Sequence, residues 1–236
     1  MVLSRFDILV TDLSMVLIFD MDDTLYVEMD YVVSGFKAVS DYLHNTMHLP
    51  KSSTLEIMLN ELEQNGRGLV FNAVLTASKV YSKALVKKCL SVYRLHKPNI
   101  SLGKETKACL SRFMNSKKYV LTDGNKVVQA QKVEALGLAE VMDGIFITHR
   151  FGLAHSKPSP YCYFKIIDQE QVPPSEAVYI GDNPKKDFVG IKPLGFKTIR
   201  VLTGPYRNLK VAPDYQADLS IEGLDELTPE LIHSIK

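Results

Sequence analysis

The sequence predicts an α/β protein: a three-layer core in which a parallel sheet carries helices on both faces, with a separate helical unit inserted after the first strand. Three observations lead there. Short apolar runs recur at residues 15–20, 119–122, 145–148, 177–180 and 198–201. Amphipathic stretches lie between them, which is the alternation of a sheet whose strands are buried on both faces. About a hundred residues separate Asp20 from the next strand at Tyr119, whereas a parallel crossover needs only about a dozen or more.

Taken in order, residues 15–20 form an apolar run ending in an acid, as expected of a buried strand whose carboxyl end opens onto a site. The excess length that follows reads as a helical domain over residues 25–97. Val32, Phe36, Val39 and Leu43 mark one helical face; Ser53 and Glu56 form a capping box before Leu55, Leu59 and Leu62; Tyr81, Leu85, Cys89 and Val92 mark another face. Gly66-Arg67-Gly68 is the flexible point inside this unit. Residues 104–115, with Cys109, Leu110 and Phe113, return to the sheet as a helix. Residues 1–24 and 98–236 then make up the core.

Within the core, Val128, Val133 and Leu136 predict a helix over 125–136 that Gly137 ends in a left-handed cap. Pro158 and Pro160 precede a helix over 161–168, and Pro184 opens another running to about Leu194. Thr228, Pro229 and Glu230 start a final capped helix. The segment before residue 14 could supply an additional strand, with no place assigned to it.

Composition narrows the function. At 236 residues the chain holds one large domain, or a domain with a smaller insert. Hydrophobic residues at 46% and charged residues at 23% suit a soluble protein, and no window approaches the roughly 18 consecutive apolar residues of a membrane span. Asp7 and Asp12 interrupt any apolar export signal. The cysteines Cys89, Cys109 and Cys162 are odd in number and widely spaced, so they read as buried thiols in a reducing cytoplasm. A net charge of +1 argues against nucleic-acid binding. Residues 31–100 carry +5 and the remainder −4, an excess more simply explained by solvated helix faces than by a partner.

Chemistry concentrates at strand ends. Positions 19–26 read F-D-M-D-D-T-L-Y, three carboxylates in four residues after an apolar strand. Two unit charges ~4 Å apart repel by roughly 4 kcal/mol at an effective dielectric of 20, so such a cluster needs a cation. Mg²⁺, which prefers oxygen ligands, answers that need. A second acidic group, I-G-D-N-P-K-K-D, covers 180–187, and its Asp182 could share the ion with Asp20. Thr122, in L-T-D-G-N, offers a hydroxyl beside the backbone N–H groups of Asp123 and Gly124; Lys157, in H-S-K-P-S-P, offers a fixed positive charge. A nucleophile, a metal and donors for the equatorial oxygens are what phosphoryl transfer requires.

These four segments, D-M-D-D-T at 20–24, Thr122, Lys157 and G-D-N-P-K-K-D at 181–187, resemble the four motifs of the haloacid dehalogenase-like superfamily over nearly the whole chain. The long insert after the first motif resembles its helical C1-type cap. The resemblance implies a Rossmann-like core and a phosphatase in which Asp20 attacks phosphorus to form an aspartyl-phosphate, while Asp22 serves as acid and then base. It further implies that Thr122 and Lys157 hold the phosphoryl oxygens. Mg²⁺ would be bound by Asp20, the backbone carbonyl of Asp22 and Asp182, with Asp187 as a further partner.

Other residues weigh less. Asp23 is expected to shape the loop or cap a helix, Tyr26, Glu28 and Asp30 to serve packing and hydration, and His149 and His155 to be solvated. Arg67 is the specificity candidate in the insert. The leading expectation is hydrolysis of a small phosphomonoester, a sugar phosphate or nucleoside monophosphate, by a monomer or homodimer. A phosphomutase similar to β-phosphoglucomutase is the alternative. A 2-haloacid dehalogenase fits less well, since halide departure needs neither Asp22 as an acid nor the metal-binding Asp182. A non-catalytic binding module would leave every catalytic candidate unused.

Overall fold

The computed structural model describes residues 15–235; the strand considered before residue 14 lies outside them. Six parallel strands form one sheet in the order β3-β2-β1-β4-β5-β6. They are β1 Val16–Phe19, β2 Lys117–Thr122, β3 Gly144–Ile147, β4 Ala177–Gly181, β5 Lys197–Val201 and β6 Leu219–Ile221. Helices α5 Lys104–Arg112, α6 Lys126–Ala135, α7 Tyr161–Glu170 and α8 Pro229–His233 cover it.

Side-chain alternation divides β1 between two cores. Leu17 and Phe19 join Val120, Ile180 and the α5 residues Cys109 and Leu110 on one face. Val16 and Ile18 join Tyr119, Tyr179 and the α7 residues Cys162 and Ile166 on the other. Burial on both faces is why these strands read as unbroken apolar runs rather than as alternating ones. β6 escaped the sequence reading because it has only three residues and its middle one, Ser220, is exposed.

Between β1 and α5 stand four helices, α1 Glu28–Met47, α2 Lys51–Asn65, α3 Val70–Ala77 and α4 Lys83–Leu95. They enclose a core of their own, in which Val32, Phe36, Val39 and Leu43 of α1 meet Met58, Val74, Leu85 and Cys89. Leu25 and Tyr26, by contrast, pack into the core of the sheet. The short α3 was not anticipated.

Two expectations need correction. The capping box at Ser53 is absent: α2 starts at Lys51, with Pro50 at its N-cap and the Pro50 carbonyl accepting from Thr54 N at 3.1 Å. Proline's fixed φ sets the first turn, so Ser53 falls inside the helix. No helix runs from Pro184 to Leu194 either. That stretch is a chain of turns ending in a short 3₁₀ segment, Lys192–Leu194. Its carbonyl and amide groups bond locally, with Asp187 N donating to Asn183 O and Asn183 N to the Asp187 carboxylate. Gly190 lies so close to Pro158 that a Cβ there would fall 1.8 Å from the Pro158 carbonyl oxygen. The segment folds down over the loop of Lys157 instead of coiling away from it.

Candidate active site

The site sits at the carboxyl ends of β1, β2 and β4, where the strand order turns from one side of β1 to the other. Register sets its geometry. Phe19 is paired with Val120 on one side and Ile180 on the other, and Asp20 N continues the ladder by donating to Ile180 O at 2.8 Å. Asp20, Thr122 and Asp182 therefore leave neighbouring strand tips at nearly the same height.

Asp20, Asp182 and Asp187 each offer a carboxylate oxygen, and the three oxygens lie within 4.8 Å of one another. All three residues are buried. Among the described residues one cation pairs with them: Lys157 Nζ is 3.1 Å from Asp20 and 2.8 Å from Asp187, and it donates to the Tyr179 hydroxyl at 2.7 Å. Asp182 has no basic side chain within ion-pair distance among the described residues. With all three ionised, the one lysine would leave two negative charges, a deficit that suits a divalent cation.

Proton affinities follow from this balance. Burial pushes the Asp20 carboxyl up to about 6 against the pull of Lys157. Burial, with Asp20 and Asp187 beside it, raises Asp182 to about 8. Burial would lower the Lys157 pKa, but Asp187 and Asp20 outweigh burial and hold that pKa well above the ordinary lysine range, so Lys157 stays charged. The all-oxygen donor set suits a hard divalent ion.

Asp22 lies apart from these three and is held by three donors. Its Oδ1 accepts from the Tyr26 hydroxyl at 2.6 Å and from Lys132 Nζ at 2.7 Å, and its Oδ2 from Gln129 Nε2 at 2.9 Å. Burial would raise its pKa, but Lys132 and these hydrogen bonds hold it below the usual carboxylate range. Gln129 also reaches the buried Thr122 hydroxyl at 2.7 Å. Neither Gln129 nor Lys132 was singled out in the sequence, yet each is almost completely buried. On a helix that also carries Lys126, Gln131 and Glu134, no local signal in the sequence set these two apart.

A cavity of about 390 Å³ opens over the site, lined by Asp20, Asp22, Thr122, Asp123, Asp182 and, from the helical unit, Arg67. Asp123 carries its own contacts, accepting from the Thr148 hydroxyl at 2.5 Å and from Lys157 N at 3.2 Å. Lys186 reaches it loosely, at 3.5 Å. Gly124 does not line the cavity. Its φ of +139° belongs to glycine, and a Cβ there would meet the Gln129 side chain at 3.1 Å, so it makes room for that glutamine.

The remaining candidates divide. Arg67 faces the cavity, but two of its guanidinium nitrogens are engaged by Glu28 at 3.0 and 2.6 Å. Glu28 and Tyr26, expected to serve packing and hydration, instead contact site residues. Asp23 adopts a left-handed φ of 54° and accepts from Glu28 N at 2.9 Å, tying down the first turn of α1. His149 and His155 line neither this cavity nor the larger one; His155 stacks on Tyr161 with ring centres 3.8 Å apart. That larger cavity, about 830 Å³, lies behind the Asp23–Val27 segment and takes in none of the three clustered carboxylates.

The family model for haloacid dehalogenase-like hydrolases matches residues 17–201, from β1 to the end of β5. The chain belongs to this family. As a hydrolase of the haloacid dehalogenase-like type it has relatives over nine-tenths or more of its length. It is 25% identical over 229 residues to a glyceraldehyde 3-phosphate phosphatase of Methanocaldococcus jannaschii, covering 93% of this chain and 97% of that protein. A glyceraldehyde 3-phosphate phosphatase of Pyrococcus furiosus is 24% identical, with 90% of each chain covered. Among solved structures, a HAD phosphatase of Thermococcus onnurineus superposes with a TM-score of 0.58 at 23% identity, over 94% of this chain and 99% of that one. A 2-haloacid dehalogenase of Pseudomonas syringae gives 0.62 at 23% identity, over 93% and 98%. These two structures share the fold. No helix among the described residues is long and apolar enough to cross a membrane.

Proposed function

We propose that this hydrolase cleaves a small phosphomonoester through an aspartyl-phosphate on Asp20, with Mg²⁺ as its cofactor. The observation that carries the reading is the convergence of Asp20, Asp182 and Asp187 within 4.8 Å around a single compensating lysine. Asp20, Asp182, the carbonyl of Asp22 and Asp187 are the groups that would hold the ion. When bound, it supplies positive charge that keeps the carboxylates ionised and offsets charge on the phosphoryl oxygens.

In this reading an Asp20 carboxylate oxygen attacks phosphorus as the ester P–O bond breaks; Asp22, which Lys132, Tyr26 and Gln129 hold as a carboxylate, takes up a proton from solvent as substrate binds and gives it to the departing oxygen. Lys157 fixes the orientation of Asp20, and with the Thr122 hydroxyl it faces the transferred group. Asp22, now a carboxylate, takes a proton from water, whose oxygen attacks phosphorus and releases phosphate with Asp20 restored. Asp123 and Arg67 complete the substrate surround, and α1–α4 serve as the cap. The full-length relatives are phosphatases of a three-carbon sugar phosphate, and a cavity of about 390 Å³ suits a substrate of that class. The buried, unpaired Cys89, Cys109 and Cys162 fit a reducing cytoplasm.

The test is phosphate release from a panel of sugar phosphates, phosphoserine and nucleoside monophosphates, with Mg²⁺ or with EDTA, run beside Asp20→Asn. Release is expected to require Mg²⁺ and to vanish in the variant while its melting curve stays cooperative. Undiminished turnover by Asp20→Asn would remove the nucleophile from the mechanism.

A further inference from the structure

The most heavily buried residues of α6 are polar. Gln129 is 2% exposed and Lys132 3%, where a helix packed on a sheet would ordinarily present apolar side chains. A buried lysine without a purpose is a burden on the fold, because desolvation of its charge is regained only through well-formed contacts. Lys132 makes three. Its Nζ lies 2.7 Å from Asp22 Oδ1, 3.8 Å from Glu28 Oε1 and 4.4 Å from the centre of the Tyr31 ring.

The contacts extend further. Glu28 opens α1 and is gripped by both terminal nitrogens of Arg67, which lies in the turn between α2 and α3. Arg67, Glu28, Lys132 and Asp22 thus form a row of alternating charge from the helical unit to the core. At its end, both oxygens of Asp22 are taken by donors from separate elements: Lys132 and Gln129 on α6, and Tyr26 on the segment leading into α1. A carboxylate held at both oxygens cannot turn without breaking at least one of these bonds.

We propose that Lys132 and Gln129 are positioning residues for the Asp22 carboxylate, and that Glu28 and Arg67 make this positioning depend on the helical unit standing over the site. The inference rests on the reading of Asp22 as acid and base given above. It differs from a merely structural role in what it makes sensitive. An alkyl phosphate releases a poor leaving group that needs a proton from Asp22. An aryl phosphate such as p-nitrophenyl phosphate releases a stabilised anion and needs none for the first step.

The experiment compares the whole chain with its Lys132→Met, Lys132→Arg, Gln129→Leu and Arg67→Ala variants, in Mg²⁺, on glycerol phosphate and p-nitrophenyl phosphate. Lys132→Met is expected to lower kcat for glycerol phosphate by ~10²-fold or more, the scale of general acid–base catalysis. The first-turnover burst of nitrophenolate should persist, because only its slow second step uses Asp22. Lys132→Arg should recover part of the loss. Arg67→Ala should lower kcat in the parent but add nothing in the Lys132→Met background, since the row is already broken.

Equal losses on both esters, burst included, or multiplicative losses in the double variant, would overturn the proposal. Gln129→Leu, which leaves the buried charge pair in place, repeats the ester comparison should Lys132→Met fail to fold. If the parent itself shows no Mg²⁺-dependent burst, or Asp20→Asn retains it, the proposed function fails rather than the positioning.

Discussion

Removing one carboxylate from the acidic cluster should make the metal-free protein more stable. Asp182 is 4% exposed and lies within 4.8 Å of Asp20 and Asp187, while Lys157 contacts only the other two acids. At an effective dielectric of 20, two charges 4.8 Å apart repel by ~3.5 kcal/mol. Asp182 faces two such charges, and Lys157 offsets roughly one of them. Asp182→Asn should therefore stabilise the fold by ~3 kcal/mol in EDTA at pH 8, or by roughly 6–12 °C in Tm for a domain of this size.

The pH dependence fixes the sign. Burial, then Asp20 and Asp187, raise the Asp182 carboxyl from 3.8 to about 8, so the folded protein binds this proton more tightly than the unfolded chain does. Its contribution to stability is present below about pH 4 and is lost as pH rises from there toward 8. At pH 5 the carboxyl is already protonated in the folded protein, so much of its cost is absent and the substitution should gain less. Thermal denaturation of both proteins at pH 5 and pH 8, in EDTA and in Mg²⁺, reads all of this. A variant no more stable than its parent in EDTA at pH 8, or one that Mg²⁺ stabilises as strongly as the parent, would refute the reasoning.

Two other outcomes follow from packing. Gly190→Ala would place a Cβ 1.8 Å from the Pro158 carbonyl oxygen, and because the obstacle is backbone, the loop carrying Lys157 must move. A loss of about 1–3 kcal/mol in denaturant unfolding should accompany a fall in kcat, and an unchanged kcat would show that Lys157 tolerates the displacement. Leu43→Ala empties a fully buried position in the separate core of α1–α4 and should cost about 2–5 kcal/mol. Amide exchange is expected to accelerate in those four helices while β1, β2 and β4 stay protected; equal acceleration throughout would mean that the helices do not open as a unit.

Much of this protein was determined by its sequence alone. Strands buried on both faces must be continuously apolar, so β1, β2, β4 and β5 stood out, and the acids ending β1 and β4 could be placed at one edge of the sheet. The hundred-residue gap after Asp20 was too long for a crossover, and its residues 28–95 do fold as helices around a core of their own. Other features had no local signature. Asp187 reaches the cluster because Asn183–Gly190 folds as turns, a choice made by the close approach of Gly190 to Pro158. On α6, Val128 and Val133 do pack against the core of the sheet, yet the positions most deeply covered are Gln129 and Lys132. Periodicity reports which residues avoid water. It cannot report that a carboxylate 110 positions earlier will meet a lysine on that helix; only the packing of α6 against the first loop decided that.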